Sequence, residues 1–178
     1  MARFEDSIGY VIAKEGGYVD HPRDPGGPTF WGISLRFLQS EGIDIDGDGD
    51  SDVDDIRAMT PEKAKAIYKE KFWDSIKLDK IDSPAVATRI LDMVVNMGIK
   101  RGVKIAQRAY NAIKGDGETR LKVDGKLGPK TRKALNSSDS VEMMASLREH
   151  HEQYYRELVK ERPDLECFLD GWVNRARA

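Results

Sequence analysis

Glu15, Asp20, Asp24 and Thr29 fall within fifteen consecutive residues of this chain, beside Tyr18, Phe30 and Trp31. Together they are the raw material for acid–base chemistry on a sugar. Glu15 lies on the same helical stripe as Phe4, Ile8 and Val11, the face expected to be buried, and in the last turn of its helix. Burial disfavours a charged carboxyl, and so does the negative end of the helix dipole. Both would keep a proton on Glu15 near neutral pH, as a general acid requires. Glycoside cleavage pairs such an acid with a second carboxylate or a positioned water. Asp20 and Asp24 are the candidates for that role. Gly26-Gly27 lets the backbone fold Asp24 back towards the helix end. Thr29 offers a hydroxyl to orient water, and Phe30 and Trp31 offer a flat wall for a sugar ring. The competing reading makes Glu15 a surface residue before a Gly-Gly cap, Thr29 the start of a strand and Trp31 part of the core.

A second constellation is spaced for a metal. Residues 44–55 read DIDGDGDSDVDD. Counted from Asp44, Asp stands at positions 1, 3, 5, 7, 9 and 12, with Gly49 at position 6, where a calcium loop turns sharply. Asp44, Asp46 and Asp48 are expected to give side-chain oxygens. Asp50 would give its carbonyl, Asp52 would act through water, and Asp55 would close the loop. Position 12 is Asp rather than the longer Glu, and position 8 is the polar Ser51. A calcium ion held here is expected to be structural, fastening the insert, with no cofactor required for the chemistry. Only one such loop occurs, so a paired EF-hand domain is excluded. The competing reading is a solvated acidic insert.

These residues must be positioned mostly by helices. Helical periodicity runs from Arg3 to Glu15 and ends at Gly16-Gly17. Residues 18–33 carry three Pro among several Gly and suit turns, with Thr29 to Ile33 as a short strand. Helical spacing returns over Ser34 to Ser40, and again at Ile56 and Met59. Thr60-Pro61 and Ser83-Pro84 are each an N-cap followed by Pro at the first helical position. The stripe after the first is Ala64, Ile67, Tyr68 and Phe72; the helix after the second closes at Gly98. Further helices are expected over 102–113, from Gly128-Pro129 to about Asn136, and from Val141 to Lys160, with Pro163 interrupting the C-terminal segment. Val123, Leu127, Leu135, Met144, Leu147, Tyr154 and Leu158 read as core, Cys167 as a small buried filler and Trp172 as a lid on a core. The expected fold is mostly α, a helical bundle with a small irregular β/turn region near residues 18–33.

Composition narrows the function further. The chain has 178 residues, 39% of them hydrophobic and 34% charged, which suits a folded domain or two rather than disorder. No apolar run approaches the roughly 18 residues needed to span a bilayer, so no membrane insertion is expected. The formal charge is −2, but seven Asp sit in residues 44–55, and without them it would be +5. The remainder is thus mildly basic, suited to an anionic surface, though not the strongly basic coat of a nucleic-acid binder. One Cys excludes an intrachain disulfide and a Cys-based metal cluster. His150-His151 is no zinc pair, since adjacent helical positions point apart. There is no phosphate-binding Gly-rich loop with its Lys, and no nucleophile elbow. No ordinary signal peptide is visible in the first seventeen residues.

The string Glu15-Gly16-Gly17-Tyr18, then Pro22, Asp24, Gly26-Gly27, Thr29 and Gly32-Ile33, resembles the signature of the family 108 glycoside hydrolases, lysozyme-like N-acetylmuramidases of phages and bacteria. Asp92, Val95, Asn96 and Gly98 resemble that family's central helix segment. Asp124-Gly125, Leu127-Gly128-Pro129 and Thr131 look like the start of the peptidoglycan-binding segment found behind it. Gly171-Trp172, Asn174 and Arg175 look like its closing motif. The resemblance implies a lysozyme-like α+β fold, with a catalytic region over 1–98 and a helical peptidoglycan-binding-like region over 99–178. It implies Glu15 as the acid and Asp24 and Thr29 as its partners, with the nine-residue Glu-to-Asp spacing of phage-type lysozymes. Tyr18, Asp20, Phe30, Trp31 and Asn96 become candidate substrate contacts. The implied activity is hydrolysis of the β-1,4 bond between N-acetylmuramic acid and N-acetylglucosamine. The partner would be the glycan strand, met by a monomer that waits in the host cytoplasm before release to the cell wall. A lytic transglycosylase and a non-catalytic, calcium-dependent cell-wall-binding module remain the alternatives.

Overall fold

The computed structural model of the chain describes residues 1–15, 17, 18, 27–115 and 117–178, and of Lys14 and Glu15 the backbone. The described residues are largely helical, with one two-stranded antiparallel sheet. They divide into two compact units, Phe4–Ser75 and Met1–Arg3 with Ile76–Ala178.

In the unit Phe4–Ser75, helix α1 spans Phe4–Glu15 and buries Phe4, Ile8, Val11 and Ile12. Where one short strand was expected over Thr29 to Ile33, the chain forms a hairpin. Strand β1 (Thr29–Phe30) pairs with β2 (Ile33–Ser34) in the register Thr29↔Ser34 and Phe30↔Ile33. Two-residue loops favour turns with positive φ at both central positions, because these match the strand twist. Gly32 meets that requirement at φ 76°, and Trp31 adopts φ 49°. Alternation alone did not reveal the turn, since Trp is a poor candidate for that conformation. Tyr68 holds it there by donating its hydroxyl to the Trp31 carbonyl at 2.8 Å.

Ser34 then caps helix α2 (Leu35–Glu41), its Oγ accepting from the Phe37 amide, and Gly42 ends the helix at φ 62°. Phe37 stacks on Phe72 at 5.5 Å and Leu38 is fully buried. After the acidic loop come α3 (Val53–Arg57) and α4 (Pro61–Ile67), the latter capped by Thr60 with Pro61 in its first turn, as expected. The stripe Ala64, Ile67, Tyr68 and Phe72 is buried, again as expected, but from Tyr68 to Asp74 the helix widens into π geometry. This brings Trp73 inward as well, edge-on to Phe4 at 5.6 Å.

The other unit is built on α5 (Pro84–Met97, capped by Ser83), α6 (Ile99–Ala112), α7 (Pro129–Ser137), α8 (Ser140–Glu161) and α9 (Leu169–Arg177). Helices α5 and α6 approach closely at Gly102, where an added Cβ would lie 2.8 Å from the Val94 side chain. Gln107 on α6 then ties down the loop leading to α7. Its Nε2 donates to Asp124 Oδ1, the Lys126 carbonyl and Thr131 Oγ1, and its Oε1 accepts from the Gly125 amide.

Three sequence expectations change here. The buried face of α8 is Met143, Ser146, Leu147, His151 and Tyr155, while Met144, Tyr154 and Leu158 are half-buried. Residues three and four apart pack inward, so the true stripe includes a serine and a histidine that an apolar count skips. Val123 is likewise only half-buried, whereas Leu127 and Leu135 are core. Cys167 is exposed, because a 3-10 segment over Pro163–Phe168 leaves no buried residue. Trp172 does cap a core, stacking on Tyr155 at 5.1 Å and on Phe168 at 5.6 Å.

Candidate active site

Glu15 occupies the last residue of α1, four positions after the fully buried Val11, as the stripe requires. Its side chain, and Asp20 and Asp24 entirely, lie outside the described residues. Tyr18, Thr29, Phe30 and Trp31 belong to the same compact unit as α1. Thr29 Oγ1 donates to the Gly27 carbonyl at 3.1 Å. That bond uses the hydroxyl proton and leaves the oxygen lone pairs to accept from water. Leu35 N donates to the Pro28 carbonyl at 2.9 Å, closing the hairpin base beside Thr29.

Tyr18, Phe30 and Trp31 form a run of aromatic faces. Tyr18 meets Phe30 edge-on at 6.2 Å, and Phe30 lies nearly parallel to Trp31 at 5.8 Å. Tyr18 is 47% exposed, and Phe30 and Trp31 are half-buried, so the run is open to solvent rather than sealed in a core. Sequence reasoning passed over Tyr68, whose place on an apolar stripe hid a hydroxyl that fixes the Trp31 backbone.

Asn96 belongs to the other unit. It is exposed near the end of α5, and its Oδ1 accepts from Tyr155 at 2.6 Å. The Tyr155 hydroxyl also lies 3.0 Å from His151 Nε2, so Asn96 stands at the end of a buried polar chain on α8. Asp92, one turn earlier, is fully buried and paired with Arg175 of α9, whose Nε and Nη2 donate to Asp92 Oδ1 at 3.1 and 2.9 Å. Two of the separated sequence motifs thus meet in one ion pair.

The acidic loop closes on itself. Asp44 accepts from the amides of Gly47 at 2.6 Å and Gly49 at 2.9 Å, with positive φ at both glycines. The carboxylate of Asp55, 1% exposed, accepts from the amides of Ile45, Asp46 and Asp52. Burial alone would raise the Asp55 carboxyl, but those three amides outweigh it and hold it below the ordinary range. Asp50 is instead pushed up, chiefly by the neighbouring Asp48 charge. Ser51, unusual at its position, donates to the Ile43 carbonyl at 2.9 Å and helps shut the loop. Backbone amides therefore offset part of the carboxylate repulsion. Asp44, Asp46 and Asp48 bring oxygens within 4.8 Å of one another, as do Asp50, Asp52 and Asp55. Two clusters of hard oxygen donors suit a divalent cation. The Asp50 carboxylate is one of the three in the second cluster.

The described residues thus form a helical protein with a small hairpin, a glutamate closing its first helix, and a further helical unit. Residues 8–98 match the Glycosyl hydrolase 108 family, and residues 101–177 match a predicted peptidoglycan domain. The chain belongs to the Glycosyl hydrolase 108 family. The solved structure of Brucella abortus SagA is similar over 98% of this chain and 91% of that one, with 29% identity and a TM-score of 0.77. Curated proteins provide no match. The family segments part between residues 98 and 101, whereas the compact units part between Ser75 and Ile76. Helix α5 thus belongs to the first segment by family and to the second unit by its contacts. Among the described residues no helix is long and apolar enough to cross a membrane.

Proposed function

We propose that this protein is a muramidase that hydrolyses the β-1,4 bond between N-acetylmuramic acid and N-acetylglucosamine in peptidoglycan. The observation that carries the reading is the family match over residues 8–98, which contains Glu15, Asp24 and Thr29 in their signature spacing. Glu15 protonates the glycosidic oxygen as the bond breaks. Asp24 stabilises the oxocarbenium-like transition state or orients water. Thr29, its proton committed to the Gly27 carbonyl, accepts from that water. Tyr18, Phe30 and Trp31 line the sugar faces, and the region over 99–178 retains the polymer. The deciding experiment is mass spectrometry of digested peptidoglycan. A reducing muramic end supports hydrolysis, a 1,6-anhydro end indicates a lytic transglycosylase, and no product indicates a binding module.

Within this site, Asp24→Asn is expected to cost more turnover than Asp20→Asn. Thr29→Ala should lower turnover with little change in melting temperature, since its side-chain bond to Gly27 spans only two residues. Turnover on purified walls, measured beside thermal melting, checks both; greater sensitivity at Asp20 would reverse the carboxylate assignment.

The acidic loop is proposed to hold a structural Ca2+. An ion that binds the folded loop and not the unfolded chain stabilises by mass action, about 2.7 kcal/mol at a hundredfold excess over its dissociation constant. Melting temperature should rise with calcium, rise less with magnesium, and fall back with a chelator. Asp48→Asn, which removes the charge from an expected side-chain ligand, should erase most of that response while sparing the amide bonds made by Asp44 and Asp55. Lysis at low temperature should persist. An unchanged melting curve and no heat on calorimetric titration would leave the loop a self-capped acidic turn.

A further inference from the structure

The helical unit has a cavity of about 360 Å³ between α6 and α8, lined by Ile105, Arg108, His150, Gln153, Tyr154 and Glu157. Four of these, His150, Gln153, Tyr154 and Glu157, succeed one another along a single face of α8. Ile105 is buried at 2% exposure and Tyr154 is half-buried, which gives the cavity an apolar floor and an aromatic wall. Its charged groups are of both signs. Arg108 is exposed and, among the described residues, makes no hydrogen bond or ion pair. Glu157 is oriented by Gln153, whose Nε2 donates to Oε1 at 2.9 Å. His150 Nδ1 is 2.9 Å from the Ser146 carbonyl, which can only accept, so Nδ1 carries the proton and Nε2 is the acceptor of the neutral ring. The cavity therefore offers a planar cation for a carboxylate, and a carboxylate with a ring nitrogen for an ammonium.

The surrounding charge favours an anionic polymer. Residues 99–137 contain eleven Lys and Arg against three Asp and Glu, in a chain whose total is −2. On α6, Lys100, Arg101 and Arg108 are exposed and Lys104 half-buried. Such a field raises the local concentration of carboxylate-bearing strands.

From this cavity we infer a binding site for the peptide stem of peptidoglycan, which seats the zwitterionic end of a diamino acid bearing a free amine and a free carboxylate. Arg108 takes the carboxylate in a bidentate pair, Glu157 and His150 Nε2 take the ammonium, and the carbon chain lies on Tyr154 and Ile105. The inference rests on the peptidoglycan reading above, and assigns the stem rather than the sugar to this unit.

The test is calorimetric titration of the full chain with three soluble probes: the stem tripeptide alanyl-γ-glutamyl-diaminopimelate, its lysine analogue lacking the distal carboxylate, and a stem-free chitooligosaccharide. The diaminopimelate peptide should bind. The lysine analogue should bind about tenfold more weakly, and Arg108→Gln should weaken the first peptide by about the same factor while abolishing the difference between the two. Arg101→Gln, on the same helix outside the cavity, should retain the discrimination. Absence of peptide binding, equal binding of the two peptides by the unmodified chain, or a chitooligosaccharide affinity lost in Arg108→Gln would each overturn the assignment. Wall digestion read by reducing ends is independent of these titrations. Peptide discrimination without reducing ends would retain this site and remove the muramidase reading; reducing ends without discrimination would do the reverse.

Discussion

Glu15→Gln is expected to keep the fold and lower the rate of peptidoglycan cleavage by at least about 10²-fold, the lower scale of general acid catalysis. The substitution preserves side-chain shape and removes the transferable proton. The fold should tolerate it because α1 is secured elsewhere, through Phe4, Ile8, Val11 and Ile12, with Phe4 edge-on to Trp73. Position 15 ends that helix, where the chain leaves for the Gly-rich segment that carries Asp24 and Thr29. The checking measurement is turnover on purified walls at matched concentrations of folded protein, with circular dichroism and melting as controls. A folded variant that cleaves at near-normal rate would remove Glu15 from the chemistry.

The largest effect on stability is expected at Asp92. Its carboxylate is fully buried between Arg89, itself 3% exposed, and Arg175. Arg89 Nη1 lies 3.8 Å from Asp92 Oδ2 and also donates to the Arg175 carbonyl at 3.1 Å. Asp92→Ala leaves Arg89 buried without its counter-charge. Breaking a buried pair from one side costs about 3–5 kcal/mol, because the remaining charge keeps its desolvation penalty. Urea unfolding should show that loss in the unit spanning Ile76–Ala178. Arg175→Ala alone should cost less, since Arg175 is partly exposed and Arg89 would still face Asp92. A change under about 1 kcal/mol for Asp92→Ala would mean that water or a rearranged Arg89 replaces the pair. The pair also explains why Asp92 and Arg175 stand out in separate motifs: each is needed to seat α9 on α5.

Local signals proved readable where a cause acts within a few residues. Thr60-Pro61 and Ser83-Pro84 marked helix starts because an N-cap and a Pro in the first turn act on their own turn of backbone. The burial of Phe4, Ile8 and Val11 came from period alone. The clustering of Asp around Gly49 was legible for the same reason, since a twelve-residue loop brings its own carboxylates together. Errors arose where a distant partner decided the outcome. The inward face of α8 includes His151 because Tyr155, Asn96 and the helices around them supply a polar route through that core. Cys167 is exposed because Pro163 sets a short 3-10 segment instead of a packed helix.

By itself, then, the order of residues determined the helix starts, the acidic loop, the family and the candidate acid at Glu15, all properties carried by short range or by motif. Tertiary structure alone decided the positive φ of Trp31, which rests on a hydroxyl thirty-seven residues away on Tyr68. It decided the pairing of Asp92 with Arg175 across eighty-three residues. It also decided that α6 and α8 enclose a cavity of mixed charge. The physical reason is common to all three. A strained backbone, a buried charge and a cavity each persist only when groups remote in the chain are held against them, and the spacing of neighbours along the sequence carries no record of that contact.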